Sequence, residues 1–165
     1  MMGPGDSNHA QPQGSAPAIV VSTPGQIAHI RESFDAMGPV RRKVAEEFYQ
    51  RFFELAPATR SLFPRDMERL HLKLMDTVAA LVGVLDNPQM FRSIINQIGR
   101  QHARFGVTSA HLAPFGDALL WTLERHFGPA FTPELRQAWA ALYEAVRNDM
   151  LQAMQSQPGT GSKTP

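Results

Sequence analysis

Ile94-Ile95-Asn96-Gln97-Ile98-Gly99-Arg100-Gln101-His102-Ala103-Arg104-Phe105-Gly106-Val107 is the stretch whose reading decides the fold. Wound as a helix, Ile95, Ile98 and His102 fall at i, i+3 and i+7, so an imidazole shares one face with two isoleucines that seek burial. A buried imidazole needs partners for its ring nitrogens. It is therefore either a core histidine satisfied by a protein hydrogen bond or a metal ligand. Gly106 follows as a natural helix terminator, because glycine enters the left-handed region without steric cost.

Working outward, apolar residues recur at helical spacing from one end of the chain to the other. Ser22-Thr23-Pro24 reads as a cap and first turn, followed by Ile27, Ile30, Phe34 and Met37 on one face up to Gly38-Pro39. A second helix is expected over residues 39–55, with Val44, Phe48, Phe52 and Leu55 on one face and Tyr49 beside them. A short turn over residues 57–62 ends at Phe63-Pro64. Residues 66–85, with Asp66 as the cap, are apolar nearly all round, the mark of a helix buried on more than one side. Asn87-Pro88 opens the helix that carries His102. Helices over residues 109–127 and from Thr132 to about residue 154 complete the set, the last with Leu135, Trp139, Leu142, Tyr143, Val146 and Met150 along one face.

No alternating strand pattern interrupts this series, so the expectation is an all-α domain over residues 23–154. Residues 1–22 and 155–165, rich in Gly, Pro, Ser and Gln, read as flexible tails. Length and a 43% hydrophobic composition suit a single core. With 16 basic against 15 acidic residues, the charge balance gives no reason to expect nucleic acid or an anionic membrane as partner. The absence of cysteine excludes disulfides, iron–sulfur clusters and thiolate chemistry. No apolar run reaches the about 18 residues of a membrane span, and residues 16–21 are too short and lack the basic leader of a secretory signal. Cytoplasmic location is the resulting expectation.

Several landmarks stand in order around the opening stretch: Phe48-Tyr49, Pro57-x-x-x-x-Leu62-Phe63-Pro64, Lys73-Leu74-Met75, Gly-Arg-x-His102-x-x-Phe-Gly-Val107, and Ala138-Trp139-x-x-x-Tyr143. As a set they resemble bacterial single-domain globins, relatives of the haem domain of flavohaemoglobins. The resemblance implies a globin fold, six to eight helices packed around a haem b pocket. It implies His102 as the proximal iron ligand, Phe63 as the haem-packing phenylalanine, and Leu70, Leu74, Val78 and Val107 as apolar walls. Tyr49 matches the distal tyrosine that donates a hydrogen bond to the bound gas; read alone, it is equally an amphipathic aromatic at a core edge.

The resemblance also marks departures. The distal position that often holds Gln or His in relatives is Leu70 here, which cannot donate a hydrogen bond. His71 is its neighbour. It faces outward or toward the haem edge, or, with a small rotation of its helix, swings in as a sixth ligand. Flavohaemoglobin-like haem domains also carry a tyrosine and a glutamate that make the proximal histidine more electron-donating; the matching positions are Leu112 and Met154, which argues against peroxide-type activation.

The implied function is reversible binding of oxygen, nitric oxide or carbon monoxide, for delivery, storage or buffering, by a monomer or weak homodimer. The alternatives are nitric oxide dioxygenation and haem-based sensing. No glycine-rich fingerprint of a nucleotide-binding domain is present. Enzymatic turnover would therefore depend on an external reductase.

Overall fold

The computed structural model describes residues 22–156. Residues 1–21 and 157–165, where both expected tails chiefly fall, lie outside the described residues. The described chain forms six α-helices: α1 (Pro24–Ala36), α2 (Arg41–Leu55), α3 (Glu68–Gly83), α4 (Pro88–Arg104), α5 (Leu112–Phe127) and α6 (Pro133–Gln155). Short 3-10 turns occupy Gly38–Val40, Pro57–Leu62, Ser109–His111 and Gly128–Ala130. The fold is all-α, with no strand among the described residues. No helix among them is long and apolar enough to cross a membrane.

The capping residues act largely as their chemistry predicts. Thr23 Oγ1 accepts the Gln26 N–H while Gln26 Oε1 accepts the Thr23 N–H, a reciprocal capping box with Pro24 in the first turn. Asn87 accepts the Met90 N–H ahead of Pro88, and Thr132 accepts the Leu135 N–H ahead of Pro133. Several boundaries differ from the sequence reading, α3 ending at Gly83 instead of residue 85 among them. Residues 38–40 tighten into a 3-10 turn, the Val40 N–H bonding the Met37 carbonyl, so α2 starts at Arg41 and not at Pro39. Residues 109–111 do the same before α5. At the head of α3 the cap position falls on Met67, although Asp66 still accepts the Glu68 N–H at 3.0 Å.

Packing follows from the apolar faces. α4 lies mainly on α6 and α2 mainly on α5, with α1 also packed on α6 and α3 on α2. Ile30, Phe34, Phe91, Ile95, Leu123 and Trp139 are almost wholly buried in the main core. Trp139 satisfies its indole N–H on Ser33 Oγ at 3.0 Å, and Ser33 in turn donates to the Ile30 carbonyl. A second cluster gathers Phe48, Tyr49 and Phe52 with Phe53, Phe63 and Phe115 around them.

The crossing of α4 and α6 depends on Gly99. A Cβ there would stand 2.6 Å from the Ala153 Cβ and 3.4 Å from the Met150 carbonyl oxygen. Only a bare backbone lets the helices meet this closely. The position of His102, one turn further along α4, follows from that crossing.

Candidate functional site

Between the helices lies a largely apolar cavity of about 400 Å³, within the range of cofactor sites. Its walls come from every long helix. α2 contributes Tyr49 and Phe48. α3 contributes Leu70, Leu74 and Val78, spaced i, i+4 and i+8 and hence on one face. α4 contributes Ile98 and His102, and the turn after it Val107. Gly106 makes that turn with φ +83°, and the Val107 N–H bonds back to the His102 carbonyl at 3.2 Å, holding Val107 against the opening.

His102 Nδ1 donates to the Ile98 carbonyl at 2.8 Å. A carbonyl only accepts, so Nδ1 carries the proton and Nε2 is left with its lone pair. The two sequence readings of His102 are thus compatible: one nitrogen is satisfied by the protein and the other is free to ligate. His102 is exposed, but toward the cavity, and the surrounding protein still desolvates it. Desolvation is the chief cause that lowers its pKa, the Lys73 charge acts in the same direction, and the Ile98 hydrogen bond opposes both. The imidazole is therefore neutral at pH 7, the form that binds metals. Among the described residues, no group of three or more His, Asp or Glu side chains converges to hold a metal ion.

On the α2 side of the cavity Tyr49 is buried among rings. Phe48 and Phe63 meet it edge-on at 5.1 and 5.7 Å, and Phe53 lies nearly parallel at 6.0 Å. Burial pushes its hydroxyl up to about 12, so the phenol stays neutral and able to donate. Phe63 is held by Arg60, whose guanidinium donates to the carbonyls of Phe63, Pro64 and Arg65 at 3.3, 2.8 and 3.2 Å. One cation fixes the whole corner.

Seven of the eight site residues expected from sequence, namely Tyr49, Phe63, Leu70, Leu74, Val78, His102 and Val107, line this one cavity. His71 does not. The helical register gives that face of α3 to Leu70 and Leu74, and the His71 ring instead packs on Tyr49, centroids 5.6 Å apart and tilted by 35°. Leu112 lines the cavity and its carbonyl accepts the Tyr143 hydroxyl, whereas Met154 is not part of the wall. Contributors not anticipated at the site include Arg60, whose reach over neighbouring carbonyls has no periodic signature, and Lys73, Gln101, His111 and Arg147 on the wall. For Arg147 a signal existed, a charge inside the apolar face of α6.

Residues 46–150 match the family model described as Globin, and the chain belongs to the globin family. Among sequence relatives, neuroglobin of Danio rerio is 31% identical, the match spanning 73% of this chain and 85% of that protein. Neuroglobin of Chaenocephalus aceratus is 30% identical, over 71% of this chain and 82% of the relative. Two solved structures share the fold: a hexacoordinated haem protein from an anhydrobiotic tardigrade (TM-score 0.74, 14% identity, 81% of this chain and 95% of that one) and a bacterial globin from Campylobacter jejuni (TM-score 0.72, 18% identity, 81% and 96%).

Proposed function

We propose that this chain holds haem b in its cavity and binds oxygen or another diatomic gas reversibly, with His102 as the residue that would hold its iron. The observation that carries the reading is the His102 ring: Nδ1 is committed to the Ile98 carbonyl, and the ring stands on an apolar cavity wall with Nε2 unclaimed. The other residues fit the same group. Haem is a flat apolar ring with two carboxylates, and this wall is apolar, with two cations, Lys73 and Arg147, and no carboxylate. The tardigrade protein, a haem protein on the same fold, supports the reading.

Haem would supply an iron able to take a small gas. The chain's own residues do the rest. His102 would hold that iron through a neutral nitrogen, and its neutral carbonyl partner would add little electron density. Tyr49 presents an O–H donor, which slows ligand loss by favouring a partly anionic gas. Leu70, Leu74 and Val78 exclude water and protons, which opposes oxidation of the ferrous state. Phe63, fixed by Arg60, and Val107 would pack against the ring.

The finer setting belongs to the same proposal: a single-domain globin of bacterial type, monomer or weak homodimer, cytoplasmic, with oxygen, nitric oxide or carbon monoxide as ligand. Nitric oxide dioxygenation would use the same pocket and require an external reductase. Purified chain mixed with haem and reduced without air tests the reading. A ferrous haem spectrum that changes on oxygen and returns on its removal supports it, with stable haem lost in His102→Ala. Rapid nitrate formation from nitric oxide, sustained by an added reductase, would favour the enzyme. No haem uptake would overturn both.

A further inference from the structure

Of the two cations on the cavity wall, Arg147 stands on α6 among apolar neighbours. Tyr143, Val146, Arg147 and Met150 fall at i, i+3, i+4 and i+7 and all four line the cavity. The closest approach of α4 and α6 is at Gly99, beside Met150 and Ala153. One turn from that contact along α4 is His102; about one turn back along α6 from Met150 is Arg147. Both are on the cavity side of the crossing. The charge and the proposed ligand belong to one wall.

Arg147 Nε is buried and has no hydrogen-bond partner among the described residues. Its Nη1 is 4.0 Å from Glu144 Oε2, beyond hydrogen-bonding distance, and that carboxylate is itself well exposed. Such a partner screens the guanidinium weakly. A guanidinium remains charged at any ordinary pH. No carboxylate lines the cavity to offset it, and the Nδ1 partner of His102 is a neutral carbonyl.

We propose that Arg147 adds a fixed positive charge to the cavity and thereby raises the reduction potential of a haem held there. This rests on the haem reading above. Losing one electron would make a ferrous haem core more positive by one charge, and a cation on the cavity wall, its Nε buried although its side chain is 39% exposed, would disfavour that state. The couple is a one-electron exchange with any external donor, so no bond is made or broken. Arg147 need not touch the iron. Its action is through the field it adds inside the cavity.

The test is equilibrium redox titration of the haem-loaded full chain with Arg147→Met, Arg147→Gln and Arg147→Lys, beside the rate of haem loss to an excess of apo-acceptor. Both uncharged variants should shift the midpoint to lower potential and oxidise faster in air. Arg147→Lys should stay near wild type, and haem loss should change little throughout. Either uncharged variant, if the other fails to fold, suffices to read the shift. A midpoint indifferent to the charge at this position overturns the inference, as does an Arg147→Lys shift equal to that of Arg147→Met. Faster haem loss at unchanged potential also overturns it, showing Arg147 to be an anchor for a haem carboxylate. A wild-type chain that takes up no haem sinks the haem reading itself; haem uptake with an unmoved potential sinks only this inference.

Discussion

The two walls of the cavity are built by different means. The α4–α6 wall is fixed by backbone: a glycine that admits the neighbouring helix, a carbonyl that takes Nδ1 of His102, and a left-handed turn at Gly106. The α2–α3 wall is fixed by side chains, with Tyr49 wedged among Phe48, Phe53, Phe63 and His71 and presenting a neutral hydroxyl. Backbone devices hold one atom in one place, whereas a wall of interlocked rings depends on close packing, where a change of even one methylene is felt.

If that contrast is sound, the largest effect comes from His102→Ala, which should abolish stable haem binding while leaving a helical apo-protein. Haem titration followed by gel filtration checks it, and haem that co-elutes with the variant would break the assignment. Next is Gly99→Ala. The new methyl meets Ala153 Cβ, so the fold should lose about 1–3 kcal/mol, measured by urea unfolding, and Ala153→Gly in the same chain should return much of it. A loss that Ala153→Gly leaves untouched would mean the crossing is not what Gly99 serves.

On the opposite wall Tyr49→Phe should speed oxygen release roughly two- to tenfold, the worth of one hydrogen bond of about 0.5–1.5 kcal/mol, in stopped-flow traces. Because the Tyr49 hydroxyl is pushed up to about 12, that difference should be flat from pH 6 to pH 10. The fold behaves in parallel. Unfolding releases Tyr49 to ionise at its ordinary pKa near 10, so its share of stability is intact below that pH and falls as pH climbs toward about 12. Alkaline unfolding curves for wild type and Tyr49→Phe should therefore separate only above pH 10. His102 has the opposite sign. Its lowered pKa means that in the haem-free chain the imidazole should take up its proton below the ordinary histidine value near 6.5, read by NMR titration, and protonation at or above that value would contradict the burial.

The smallest change is expected from His71→Leu, within about 1 kcal/mol in stability and with no change in the ferrous spectrum. A wild-type six-coordinate ferrous spectrum that becomes five-coordinate in this variant would show that α3 turns to bring His71 in. The side-chain wall would then be more mobile than its packing suggests.

How much of this was legible beforehand follows the same division. Thr23, Asn87 and Thr132 announced three helix starts because a cap is a local contest between a side chain and backbone N–H groups. His102 stood out because it sat on an apolar face, and Gly106 because a helix had to stop. The 3-10 turns at Gly38–Val40 and Ser109–His111 were not visible, since apolar periodicity does not separate i→i−3 from i→i−4 bonding over one turn. In α3 apolar residues lie all round, so nothing local orients it; packing against α2 gives Leu70 and Leu74 the cavity and leaves His71 beside Tyr49. Arg60 is beyond any pattern, because its partners are carbonyls, which every residue has. Arg147 was passed over within the face running from Tyr143 to Met150, where the apolar majority hides one charge.

Trp139 has a further use. It is buried, it lines the cavity, and its indole is pinned to Ser33. The other tryptophan, Trp121, lies outside that cavity between the guanidinium groups of Arg51 and Arg125. The two indoles thus report from different places: emission from Trp139 should be quenched as the cavity fills, with Trp121 less affected, and Trp121→Phe would isolate the inner signal. The molecule carries an optical gauge of its own occupancy.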